Sequence, residues 1–243
     1  MKTLNASERL MVALDIGTAG EAKALAEKIG ETVTWYKVGM ELFYAEGPKI
    51  IEMLKEKQKK VFLDLKFHDI PNTVAGAVRS VSELGVDMCN LHACGGREMM
   101  LRAMDANKEA SAKKGKSPAK LIAVTILTSI DQRVFQTELG FSGEIHEKVL
   151  NWAELVKEAG LDGVVASAHE AEMIRRRCGG DFLIVTPGIR PKSTEVNDQK
   201  RVMDPAQAIK KGATHLVVGR PITKADHPAQ AAEIILKEME EAL

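Results

Sequence analysis

Aromatic side chains are scarce in this chain: six Phe, two Trp and two Tyr make up 4% of its 243 residues. An excess of one charge is missing as well, because 34 Lys and Arg balance 34 Asp and Glu to a formal net charge of zero. With neither a basic field nor a set of stacking rings, nucleic-acid binding is not expected, although a local anion site is compatible with the balance. Cysteine is limited to Cys89, Cys94 and Cys178, an odd number whose spacing fits neither a paired zinc motif nor a redox Cys-x-x-Cys. These are read as reduced thiols of a cytoplasmic protein. No apolar run approaches the ~20 residues of a membrane span, and the polar residues of 1–9 interrupt any signal-like stretch. The expectation is a soluble, unexported protein, long enough to build a sizeable core without disulfide staples.

What the chain does contain is a recurrence of short aliphatic runs with helical patterns between them. Eight runs stand out: 11–16, 35–40, 60–66, 88–93, 120–127, 163–168, 183–189 and 215–222. Their apolarity is continuous rather than alternating, as in parallel strands covered on both faces. Between them, 71–84 places Pro71 at a first helical position and lines up Val74, Ala77, Val78, Val81 and Leu84 before Gly85. The segment 204–212 repeats that grammar from Asp204 and Pro205 to Gly212, and a last helix is expected over about 228–242.

Eight strand-and-helix units in this length are the arithmetic of an α/β fold of the (β/α)8 TIM-barrel type, read as a single domain over 1–243. A doubly wound open sheet is the rival. Its dinucleotide fingerprint is not matched by Asp15-Ile16-Gly17-Thr18-Ala19-Gly20, which has two glycines only. The longest polar stretch, 190–201, falls between the seventh and eighth strands, where a loop can fold over a ligand as a lid.

In such barrels the chemistry sits where strands end. Those ends carry Asp15, Lys37, Asp64 with Lys66, His92, Thr128 with Ser129, Arg190, and Gly219 with Arg220. Residues two apart on a strand share a face, so Asp64 and Lys66 form a pair. Asp69 lies beyond that strand and just ahead of Pro71, where a carboxylate also suits the helix dipole. Carboxylates on either side favour the ammonium of Lys66 over its free amine, which argues against a Schiff-base nucleophile and for a proton donor to a carbanion. Arg190 and Arg220 follow the seventh and eighth strands, the usual barrel site for a phosphate monoester. A metal held by Asp15, Asp64 and His92 is disfavoured, because Lys37 and Lys66 compete for the same carboxylates. His92 is read as a structural histidine at the barrel mouth, and Met99 and Met100 as helix packing.

The segment Asp64-Leu65-Lys66-Phe67-His68-Asp69-Ile70-Pro71-Asn72-Thr73 resembles the hallmark of the orotidine 5′-monophosphate decarboxylase family. The likeness extends to Ala13-Leu14-Asp15, Lys37-Val38-Gly39, Leu127-Thr128-Ser129, Thr186-Pro187-Gly188-Ile189-Arg190 and Val218-Gly219-Arg220. The resemblance implies decarboxylation of orotidine 5′-monophosphate (OMP) to UMP without cofactor or metal. Lys66 would be the proton donor to C6, within a charged array of Lys37, Asp64 and Asp69. Asp15 and Lys37 would bind ribose hydroxyls and Thr128 the pyrimidine edge. Arg190, Gln199, Gly219 and Arg220 would bind phosphate, with Gln199 also bridging toward the base. Asp69, Ile70 and Thr73 would reach a neighbouring subunit's site, which implies a homodimer. A metal-dependent sugar-phosphate lyase or synthase of the same superfamily is the nearest alternative, and a non-catalytic nucleotide sensor is one from another class.

Overall fold

A computed structural model describes residues 5–191 and 203–243. Eight parallel strands close into a barrel in sequence order: β1 Leu10–Leu14, β2 Trp35–Gly39, β3 Lys60–Phe67, β4 Met88–His92, β5 Lys120–Val124, β6 Gly163–Val165, β7 Leu183–Thr186 and β8 His215–Val218. β1 pairs with both β2 and β8, which completes the ring. The outer layer comprises α1 Ala19–Ile29, α2 Met40–Glu46, α3 Lys49–Glu56, α4 Pro71–Leu84, α5 Gly96–Lys113, α6 Gln132–Thr137, α7 Ile145–Glu158, α8 Ala171–Cys178, α9 Pro205–Lys210, α10 Arg220–Thr223 and α11 Pro228–Glu240. No described helix is long and apolar enough to cross a membrane.

Strand parity explains the continuous apolarity of the eight runs. Met11, Ala13, Trp35, Phe62, Met88, Ile122, Val185 and Val217 form a buried cluster inside the barrel. Their sequence neighbours, among them Val12, Tyr36, Leu63, Cys89, Leu121 and Leu216, join the larger core between strands and helices. Both faces are thus covered, and both need apolar side chains. Gly163 has a steric reason: a Cβ there would lie 2.2 Å from the carbonyl oxygen of Leu183 on the adjacent strand.

The helix signals hold at close range. α4 starts at Pro71, buries Val74, Ala75, Val78 and Val81, and ends at Gly85 in the left-handed region with φ 79°. The Asp204 side chain caps α9 by accepting from the Gln207 N–H at 2.8 Å. That helix stops at Lys210, two residues short of Gly212, whose φ of 98° turns the chain toward β8. Met99 and Met100 are fully buried packing residues of α5.

Several runs extend past the observed strands, always at the C-terminal end: β1 stops at Leu14, β5 at Val124, β6 at Val165, β7 at Thr186 and β8 at Val218. The surplus residues leave the hydrogen-bonded ladder and form the mouth. The polar segment expected as a lid, 191–198, lies outside the described residues apart from Pro191. Its base is visible: the Arg190 N–H donates to Met203 O at 3.0 Å, and the Met203 N–H to Gly188 O at 3.3 Å.

Candidate active site

A cavity of about 720 Å³ opens at the C-terminal end of the barrel. Asp15, Lys37, Asp64, Lys66, Thr128, Arg190, Gly219 and Arg220 all line it. Phe62, Val124, Ile126, Val165 and Val217 add apolar wall and floor. One compartment therefore offers a flat apolar group, a set of alternating charges and two guanidinium groups at once.

The charges form a chain. Lys37 Nζ stands 2.9 Å from Asp15 Oδ1 and 3.3 Å from Asp64 Oδ2, and Lys66 Nζ stands 2.7 Å from Asp64 Oδ1. Lys37 and Asp64 are buried, whereas Asp15 is open to solvent. Burial is the largest single influence on Lys37 and opposes its charge, yet Asp64 and Asp15 together outweigh it and raise its pKa. Asp64 mirrors this. Burial alone would raise its pKa, but Lys37, Lys66 and a hydrogen bond from Asn90 hold it below the ordinary carboxylate range.

The pairing of Asp64 with Lys66 is reached differently from the regular alternation that the sequence suggests. Leu63 is in register with Cys89 and Phe67 with Leu91, so four residue steps of β3 run beside two of β4. Within this bulge Lys66 takes a left-handed conformation with φ 55°. A non-glycine residue in that region costs roughly 1–3 kcal/mol, and such strain persists only where surrounding contacts fix it. Here the fixing contact is Asn90, whose Oδ1 accepts the Lys66 backbone N–H at 2.8 Å while its Nδ2 donates to Asp64 Oδ1 at 2.7 Å. Sequence reasoning passed over Asn90. The available signal was a carboxamide at an inward position of β4, two residues before His92, inside an otherwise apolar run.

In the sequence Gly39 stands out only as part of the Lys37-Val38-Gly39 motif. A Cβ at that position would lie 3.0 Å from Lys37 Nζ and 3.3 Å from Asp15 Oδ1, so the glycine leaves room for the ion pair.

On the phosphate side Arg190 is buried, and its Nη1 donates to its own neighbour's carbonyl, Ile189 O, at 2.9 Å. Its Nε is buried without a hydrogen-bond partner among the described residues. Burial, and next the proximity of Arg220, push the Arg190 pKa down. Two guanidinium groups close enough to repel, one with a donor unmet among the described residues, are suited to a doubly charged anion.

Other expected positions fall elsewhere. Asp69, Ile70 and Thr73 do not line the cavity; they are exposed at the start of α4, Ile70 to 67%. The Asp69 Oδ1 accepts the Ile70 N–H at 2.6 Å. Gln199 lies outside the described residues. His92 packs obliquely against His68 with ring centroids 5.5 Å apart, and burial, then His68 and Lys66, lower its pKa. Among the described residues no three His, Cys, Asp or Glu side chains converge as a metal site, and Lys37 occupies the space between Asp15 and Asp64.

Comparison with known proteins places this arrangement. The profile described as "Orotidine 5'-phosphate decarboxylase / HUMPS family" matches residues 8–235. The chain is 47% identical over 240 residues to the orotidine 5'-phosphate decarboxylase of Moorella thermoacetica, covering 99% of this chain and 95% of that protein. It is 49% identical over 237 residues to the one from Carboxydothermus hydrogenoformans, covering 98% of each. The crystal structure of orotidine 5'-phosphate decarboxylase from Lactobacillus acidophilus superposes with a TM-score of 0.85 at 39% identity, over 95% of this chain and 98% of that one. With its eight-stranded barrel, its row of charges and relatives matched along nearly their whole length, the chain belongs to the orotidine 5'-phosphate decarboxylase / HUMPS family.

Proposed function

We propose that this enzyme decarboxylates orotidine 5′-monophosphate to UMP and CO2, the final step of pyrimidine nucleotide synthesis, and that it does so with side-chain charges alone. The observation that carries the mechanism is the unbroken series Asp15, Lys37, Asp64, Lys66 along one wall of a cavity that also holds Arg190 and Arg220. In this reading the guanidinium groups and the backbone at Gly219 take the phosphate, Asp15 and Lys37 the ribose hydroxyls, and Thr128 the pyrimidine edge. The apolar walls take the ring face, and Gln199 completes the phosphate contacts.

The C6–carboxylate bond breaks with its electron pair left at C6. Lys66 then gives a proton to C6 and is recharged from water. The carbanion has little resonance relief, so the barrier has to fall through placed charge and binding energy. Asp64 facing the substrate carboxylate contributes at most about 4 kcal/mol, the interaction of two charges ~4 Å apart at an effective dielectric of ~20. A slow reference reaction calls for on the order of 20 kcal/mol. The larger share is assigned to Lys66 and to the binding energy of the phosphate. Asp69, Ile70 and Thr73, exposed and outside their own cavity, are assigned to the neighbouring subunit's site in a cytoplasmic homodimer.

The test is the ultraviolet spectrum of OMP after addition of metal-free protein, with Lys66→Ala as control. Rapid loss of the orotidylate band and appearance of UMP, absent in the variant, is the expected result. Turnover that is lost with chelator and restored by magnesium, or turnover unchanged in Lys66→Ala, would overturn the mechanism.

A further inference from the structure

We infer that Asn90 is a positioning residue for decarboxylation: its carboxamide replaces a missing strand contact, fixes the Lys66 backbone and holds the Asp64 carboxylate in place while Lys66 gives up its proton. The inference rests on the decarboxylase reading above.

The β3 bulge takes the Lys66 N–H out of the regular ladder, and the side chain of Asn90 receives it at 2.8 Å. A backbone N–H can only donate, so the amide oxygen must face Lys66. This orientation turns Nδ2 toward Asp64, 2.7 Å away, where only an acceptor fits. The amide is fully buried, and neither contact is interchangeable with water.

Asp64 Oδ1 therefore accepts from two donors, Asn90 Nδ2 and Lys66 Nζ, each at 2.7 Å. Lys66 is the donor that the reaction consumes. When its proton moves to C6 the lysine becomes neutral and its hydrogen bond to this oxygen loses the assistance of charge, while the Asn90 Nδ2 donor stays as it was. Asn90 contributes the donor that does not change during the reaction. The groups facing Asp64 are Lys37 from β2, Lys66 from its own strand and Asn90 from β4, with Asp15 reached through Lys37 and His92 further along β4 beside His68.

The test compares Asn90→Leu and Asn90→Asp with the wild type, reading kcat for OMP across pH, UMP affinity and melting temperature. Asn90→Leu removes both hydrogen bonds at similar volume and is expected to lower kcat by about 10²-fold, the scale of a misplacement of about 1 Å in the reacting groups. UMP lacks the reacting carboxylate, and its affinity is expected to stay within a few-fold. Asn90→Asp can copy the amide only while protonated, donating to Asp64 through its O–H. Its deficit relative to the wild type should therefore widen as pH rises, which a packing role would not produce. If Asn90→Leu does not fold, the Asn90→Asp profile decides alone. A kcat within a few-fold of the wild type in Asn90→Leu overturns the inference, as does an Asn90→Asp deficit that is flat with pH. A wild-type protein inactive on OMP overturns the decarboxylase reading itself.

Discussion

Gly39 and Lys37 are matched by exclusion: a Cβ on residue 39 would stand 3.0 Å from the lysine Nζ, in the space that the ammonium needs to bridge Asp15 and Asp64. The backbone at Gly39 has φ −88°, which any residue adopts, so the constraint is purely one of room. Gly39→Ala is expected to fold, to keep its melting temperature within a few degrees, and to lose about 10²-fold in kcat/KM through displacement of Lys37. Steady-state kinetics on OMP check this, and an unaltered kcat/KM would show that the array tolerates the displacement.

Asp69 bears on assembly. It lies outside its own cavity, and its proposed place is the partner's. Lys66→Ala and Asp69→Ala are each expected to be nearly inactive as homodimers. Mixed and allowed to exchange subunits, they should regain activity that neither has alone, because each heterodimer holds one intact site. Sedimentation establishes the dimer and an OMP assay the recovery; a mixture as inactive as its parts would remove Asp69 from a shared site.

His215 sits at the other end of the barrel, edge-on to Trp35 and with Nδ1 3.0 Å from Thr214 Oγ1. Burial, and after it Arg9 and Lys60, push its pKa down to about 4 from an ordinary 6.5. The unfolded chain then binds the proton more readily than the folded one between those values. Stability contributed by neutral His215 is complete above about pH 6.5 and is lost as pH falls toward 4, by up to about 3 kcal/mol. Urea unfolding at several pH values should show the wild type losing stability across that window and His215→Leu losing less. Parallel acid profiles would refute the assignment.

The barrel was legible because continuous apolar runs and Pro/Gly punctuation are local signals, as at Pro71 and Gly85 around α4. Strand ends were less so. Ile126 and Leu127 are as apolar as a strand interior, yet they lie beyond the end of β5 at Val124. The charged positions stood out because lysines and aspartates interrupt apolar runs. Asn90 did not, since its value depends on a bulge in another strand. The left-handed Lys66 is a tertiary outcome, its backbone N–H held by that amide from another strand. The roles of Gln199 and the 191–198 segment stay where the resemblance left them, because those residues, apart from Pro191, lie outside the described structure.

The buried layer of Met11, Trp35, Phe62, Met88, Ile122, Val185 and Val217 precedes the mouth residues on their strands and fills the barrel interior with apolar side chains. Its apolar floor offers no relay for a proton. In the proposed reaction, gas, nucleotide and the proton that recharges Lys66 all pass the mouth where the strands end, which makes their movements successive traffic.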